Sequence, residues 1–152
     1  NIGAGKPERA AQTLKYATMI AVGFGLTVSV IIQFIAEPVV GLFTADVAVK
    51  IAGGQYIRGY IWDCIFAGVH FSFSGYFCAC GRSELSFLHN ITSIALVRVP
   101  GVYLTSKLFP KTLLTMGLAT ATGSLLSVII CVIAYLLIFR KKKDSILLNE
   151  NS

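Results

Sequence analysis

Residues 113–139 read LLTMGLATATGSLLSVIICVIAYLLIF and contain no Asp, Glu, Lys or Arg. A helix needs about 20 such residues to cross about 30 Å of hydrocarbon. Three further apolar runs reach this length, at 16–36, 57–80 and 85–106. No polar helices are present that could cover these runs in water. We therefore predict an all-α integral membrane protein with four transmembrane helices.

The composition of the whole chain supports this prediction. Of its 152 residues, 55% are hydrophobic and 13% are charged, and the mean hydropathy is +0.75. A soluble domain carries about 25% charged residues. Outside the four runs, we predict a cytoplasmic loop at 1–15 and a cytoplasmic basic tail at 140–152.

The net charge of +6 is concentrated on one side of the predicted membrane. Eight of the 13 basic residues lie on the side that carries both chain ends, four lie on the other side, and Arg98 lies inside a span. The eight are Lys6, Arg9, Lys15, Arg82, Arg140, Lys141, Lys142 and Lys143. Because basic residues are enriched on the cytoplasmic side, both termini are predicted to be cytoplasmic. The tail is expected to contact membrane lipids and not nucleic acid.

The first connection is predicted to contain a short interfacial helix. Glu37-Pro38 should end the first span, and Thr44 should cap a helix at 45–52. Gly53-Gly54 is expected to break this helix before the second span begins.

The remaining connections predict close packing. A very tight loop at 81–84 joins the second and third spans, so these spans must form an antiparallel hairpin. In the fourth span, small residues recur at four-residue spacing, as Gly117/Ala121 and Gly123/Ser127. This pattern is typical of membrane helices whose backbones approach closely.

Ionisable residues at membrane depth are costly, so each one is a candidate site. By helical rise, Arg98 lies about 12 Å and Asp63 about 9 Å from the outer end of their spans. The hairpin places these depths side by side, and we expect the two side chains to pair or to share a water-filled cavity. A static salt bridge and a role in transport are both compatible with this pattern.

One face of the second span combines His70 with Asp63 and three aromatic residues, Phe66, Phe73 and Phe77. Such a face can line a path for a cationic amphiphile through cation–π contacts, or it can be ordinary helix packing. Pro100 lacks a backbone donor and is expected to kink the third span. His89, near the inner end of that span, is expected to be solvated at the interface.

Enzymatic and metal chemistry find no support in the motifs. There is no HExxH, GxSxG or glycine-rich nucleotide loop, and no Cys/His spacing fits a zinc site. The four cysteines fall within spans and are expected to be packing residues.

Several segments together resemble the MATE multidrug transporters. Asn1–Ala10 (NIGAGKPERA) resembles the loop after the eighth helix of that family. Gly81-Arg82 resembles the loop after the tenth helix, and Arg98-Val99-Pro100 resembles an Arg-x-Pro motif in the eleventh. Met116-Gly117-Leu118 is similar to the start of the twelfth. The resemblance spans nearly the whole chain.

The resemblance implies a twelve-helix carrier with two six-helix lobes, of which this chain holds helices nine to twelve. Such carriers export cationic amphiphilic compounds in exchange for sodium ions or protons, without another cofactor, by alternating access in the inner membrane of a bacterium. In sodium-coupled members, the tenth helix carries a carboxylate nearer its cytoplasmic loop than Asp63. In this chain His70 lies closer to that location. Because the chain begins with Asn1 and has no signal peptide, we expect it to be part of a longer protein whose other helices complete the cavity.

Two alternatives stay open. One is a lipid-linked oligosaccharide flippase of the same superfamily, which should have more cationic residues facing its cavity. The other is an independent four-helix protein, either a small multidrug pump or an assembly scaffold. Small pumps place a carboxylate in the middle of their first helix, whereas no acidic residue lies within 16–36 here.

Overall fold

The computed structural model describes residues 1–140, and this part of the chain is helical without strands. Its elements are α1 (Pro7–Gly41), α2 (Val47–Tyr60), α3 (Asp63–Ala79), α4 (Ser83–Ser93), a π-helical segment (Ile94–Arg98), α5 (Val99–Leu108), α6 (Leu114–Tyr135) and a terminal π-helical turn (Leu136–Arg140). Apart from Arg140, the predicted basic tail at 140–152 lies outside the described residues.

Within residues 1–140, three helices are long and apolar enough to cross a membrane: Pro7–Gly41, Ser83–Leu108 and Leu114–Ile138. Large apolar side chains on α1 are exposed, among them Phe24 and Phe34 at 71% and 79%. An apolar face of this extent suits contact with lipid. These helices agree with three of the four predicted spans.

The predicted span at 57–80 is not one regular helix. It breaks at Ile61 and Trp62, and α3 alone has 17 residues. Across the break, the amides of Cys64 and Ile65 bond to carbonyls three residues back instead of four. The Ser29 hydroxyl on α1 donates to the Ile61 carbonyl at 3.2 Å. The Ile61 carbonyl thus accepts two bonds, one from the Cys64 amide and one from α1, which ties the break to α1.

The interfacial region also differs from the prediction. The N-cap of α2 is Asp46, not Thr44, and its carboxylate accepts from the amides of Ala48 and Val49. The helix continues through Gly53-Gly54 to Tyr60, because both glycines pack against α1, where a Cβ would meet Val40 or Glu37.

The ends of α1 extend beyond the predicted limits. Its first turn starts at Pro7, which suits a position without an intrahelical partner for its N–H. Residues 7–15 are therefore helical, and the segment predicted as a loop at 1–15 runs into the first helix at Pro7. At the other end, α1 continues past Pro38 to Gly41.

The tight hairpin between α3 and α4 is present. Gly81 adopts a φ of 73°, and the Arg82 amide donates to the Phe77 carbonyl at 2.9 Å. This 6→1 bond with glycine in the left-handed region is a Schellman C-cap. The chain turns at once into α4, so α3 and α4 lie antiparallel with matched depths.

Helix α6 occupies the centre of the bundle. It packs against α2, α3, α4, the π segment and α5, while α1 covers α2 and α3. Small residues make this possible: a Cβ on Gly117 would lie 2.5 Å from the Tyr56 carbonyl oxygen, and one on Gly59 would collide with the Leu114 carbonyl. The close helix contact predicted at Gly117 is confirmed, and its partner is α2.

Replacing Gly117 by alanine should therefore lower the stability of the protein by about 1–3 kcal/mol, because the new methyl group overpacks the α2–α6 contact. Thermal unfolding in detergent measures this loss. The matched control is Gly75→Ala on α3, where a Cβ has nothing within 4 Å. Equal effects of the two changes would contradict the proposed contact.

Candidate functional site

A cavity of about 310 Å³ lies beside the break between α2 and α3, and α4, the π segment and α6 form its other walls. Polar side chains on its surface include Asp63, His70, Asn90, Arg98, Ser124 and Ser127. All of these residues lie within the apolar runs. The structure thus brings three sequence-predicted residues, Asp63, His70 and Arg98, to one cavity.

Asp63 and Arg98 form the predicted ion pair. One terminal nitrogen of Arg98, Nη2, donates to Asp63 Oδ1 at 3.0 Å and to Oδ2 at 2.9 Å. The same nitrogen donates to the Ser124 hydroxyl at 2.5 Å. The Asp63 side chain is 5% exposed and that of Arg98 is 30% exposed. The guanidinium therefore neutralises a buried carboxylate while it remains partly accessible from the cavity.

The helix around Arg98 is not regular. It changes from α to π geometry at Ile94 and returns to α at Val99. Pro100 follows, and it has no N–H to donate to the carbonyl of Leu96 within that segment. The disturbance expected at Pro100 thus takes the form of a π segment that ends at Arg98. Such segments are frequent at functional sites because they redirect a side chain.

Helix α6 accommodates the Arg98 side chain through a glycine. A Cβ on Gly123 would collide with Arg98 Cγ, and the Ser93 hydroxyl donates to the Gly123 carbonyl. Gly123 and Ser127 therefore lie at the polar site, although the sequence pattern indicates only helix packing for them. The sequence pattern does not identify Ser93 and Ser124 as site residues, because small polar residues in a membrane helix are common at packing contacts.

His70 and His89 contact each other across the hairpin. Their ring centroids are 5.5 Å apart in an edge-to-face arrangement, and both residues are buried. The expectation that His89 is solvated at the interface is wrong. The hairpin register explains this, because three pairs of residues lie at nearly equal distances in sequence from Cys80, just before the turn: Asp63–Arg98, His70–His89 and Ser74–Ser86.

The three phenylalanines of the predicted face do not line the cavity. Phe77 is fully buried, and Phe73 contacts the rings of Phe77 and Tyr135. Phe66 is half-buried. The face shared with Asp63 and His70 is thus divided: its ionisable residues meet α4 and the π segment, while Phe73 and Phe77 join an aromatic cluster.

Metal-binding groups are limited in the described part of the chain. Among residues 1–140, no group of three or more His, Cys, Asp or Glu side chains is placed to hold a metal ion. Both oxygens of Asp63 are already bonded to Arg98. A sodium ion, which takes oxygen ligands, would have to compete with that guanidinium.

A family model described as MatE matches residues 1–104. The chain belongs to the MatE family. The match includes α1 to α4, the π segment and most of α5, and therefore Asp63, His70 and Arg98. No curated protein and no solved structure matches the chain.

Membership of the MatE family agrees with the apolar helices and with the motifs that resemble MATE transporters. The MatE chain is a multi-pass membrane segment of a transporter family, not of an enzyme family. Its polar cavity is the candidate site for that role.

Breaking the ion pair of this MatE chain should destabilise it. Asp63→Asn leaves Arg98 half-buried without a counterion, and we expect a loss of about 3 kcal/mol in thermal unfolding. Arg98→Gln should have a similar effect. The double variant should lose less than the sum, since each single change already removes the pair. Strictly additive losses would contradict the coupling between the two residues. The control is Glu84→Gln, in the exposed first turn of α4.

Proposed function

We propose that the MatE chain is part of a cation-coupled antiporter that exports small cationic amphiphilic compounds by alternating access. The coupling ion is sodium or a proton. The chain acts with further helices of the same protein that complete a twelve-helix, two-lobe bundle. It lies in the inner membrane of a bacterium, with both ends of the segment in the cytoplasm.

The observation that carries this proposal is the cavity at the α2–α3 break. Broken helices beside polar residues are where secondary transporters place substrate and ion sites. Here the cavity at the break is lined by a carboxylate, a guanidinium and the His70 imidazole, and His89 contacts that imidazole. Ionisable side chains are costly inside a membrane, and they mark sites that bind or move a charge.

The charge of the cavity favours export of a cation over flipping of an anionic lipid-linked sugar. Within the described residues, Arg98 is the only Lys or Arg on its surface, and Asp63 neutralises it. A site for a pyrophosphate group would require uncompensated positive charge. A small four-helix pump is disfavoured because the family match is to MatE.

Export of a fluorescent cationic dye from vesicles that contain the intact transporter tests this proposal. With an imposed sodium or proton gradient, the wild-type protein should export the dye. Asp63→Asn and Arg98→Gln should each reduce export by about tenfold, within the range of typical coupling energies. Glu37→Gln, which removes the separate 3.2 Å ion pair to Arg58 outside the cavity, should retain export.

Full export by stably inserted Asp63→Asn and Arg98→Gln proteins would refute a functional role for the ion pair. Flipping of a lipid-linked sugar without dye export would refute the antiporter and support the flippase.

A further inference from the structure

The chain has two histidines, and both lie at the same contact. His70 on α3 is 4% exposed and His89 on α4 is 1% exposed. They are nineteen positions apart in sequence, and the hairpin brings their rings to a centroid distance of 5.5 Å. His70 also lines the cavity that contains Asp63 and Arg98.

Ser127 on α6 contacts both the backbone carbonyl and the ring of His89. The Ser127 hydroxyl donates to the His89 carbonyl at 3.2 Å, so its single proton is used there. Its oxygen is also 3.4 Å from His89 Nδ1, and it can therefore only accept at that contact. With the hydroxyl proton on that carbonyl, Nδ1 carries the ring proton and Nε2 is the basic nitrogen of a neutral imidazole.

Two nitrogens at this contact have no partner. His89 Nε2 and His70 Nδ1 are both buried without a hydrogen bond within the described residues. Buried polar atoms normally have a partner, so unpaired nitrogens on two buried rings whose centroids are 5.5 Å apart indicate a ligand that is present in only part of the working cycle. The ligand that a basic imidazole nitrogen takes most readily is a proton.

We infer that His70 and His89 together bind a single proton and form the coupling-ion site of this chain. The inference rests on the proposed antiport function and selects the proton over sodium. A sodium ion requires several oxygen ligands, whereas the unpaired atoms here are nitrogens and both Asp63 oxygens are bonded to Arg98.

The other groups around the pair leave an added proton uncompensated. The titratable and charged side chains on the same cavity are Tyr60 from α2, Asp63 and Cys64 from α3, and Arg98 from the π segment. Helix α6 contributes the neutral Ser124 and Ser127. At its close approaches to α3, helix α1 presents Ala21 and Gly25, which carry no charge.

This environment links the proton to a change in structure. Asp63 and Arg98 cancel each other, so a protonated histidine pair would be a buried charge without a counterion, which is strongly unfavourable. The neutral pair is compatible with the packed hairpin seen here. Loading the proton favours an arrangement in which water reaches the cavity and α3 and α4 separate at this level. A single event thus couples ion binding to opening.

The direct test is histidine NMR on the intact protein in lipid nanodiscs, with ¹⁵N-labelled histidine and with His70→Asn and His89→Asn for assignment. Because burial disfavours the charged form of histidine, the range to examine extends to acid pH: between about pH 4 and pH 8, the ring signals of both residues should change in a coupled titration. Removing either histidine should shift the titration of the other. Two independent curves, or two rings that stay neutral throughout this range, would overturn the inference.

Transport supplies the second readout. In His70→Asn and His89→Asn, dye export driven by a pH gradient should fall by about tenfold or more, and the double variant should be no worse than either single one. Downhill dye movement without a pH gradient should persist. Glu37→Gln, which removes the ion pair to Arg58 outside the cavity, is the control.

The two proposals fail in different ways. Export that keeps its full pH dependence in the histidine variants would overturn the proton site and leave the antiporter intact. Absence of dye movement in the wild-type protein under every gradient would overturn the antiporter, while the NMR titration would still decide whether the pair binds a proton.

Discussion

The bond between Asp63 and Arg98 is the constraint on which the rest of this segment depends. An unpaired arginine at membrane depth costs at least about 2.5–3.5 kcal/mol on insertion scales. Arg98 avoids this cost with a carboxylate on α3 and a hydroxyl on α6, so three elements must keep a fixed relative position. The π segment, the glycine at 123 and the buried state of Asp63 all serve that arrangement. The result is a neutral but polar site inside apolar helices.

The short turn at Gly81 transmits this constraint along the hairpin. Because the turn is so short, α3 and α4 keep one register. The pairing of Asp63 with Arg98 therefore also determines that His70 contacts His89. Helix α6 then adds hydroxyls at the level of each pair. The cavity results from the break between α2 and α3, where a continuous helix would have kept its backbone carbonyls satisfied internally. The cavity, the ion pair and the histidine pair thus lie together in one part of the bundle.

Much of this could be predicted from sequence, because lipid leaves few options for long apolar runs. The helices, the hairpin and the pairing of Asp63 with Arg98 follow from length, loop size and the cost of charge. The break at Ile61 could not be predicted, since no proline or glycine marks residues 61–62 and the Ser29 hydroxyl that contacts the break is distant in sequence. Gly53-Gly54 was misleading because glycine weakens a helix but also permits close packing. The burial of His89 required the exact hairpin register, which a span boundary uncertain by a few residues cannot supply.

The distance between Arg98 and Asp63 in a lipid bilayer is the most direct test of the ion pair. Solid-state NMR can record the dipolar coupling between ¹⁵N in the arginine side chain and ¹³C in the aspartate carboxylate, with Arg98→Lys as the blank. A strong coupling should appear in the wild-type protein and disappear in Arg98→Lys, as expected from nitrogen–oxygen distances of 2.9 and 3.0 Å. A spectrum in which the wild-type protein and the blank are identical would contradict it.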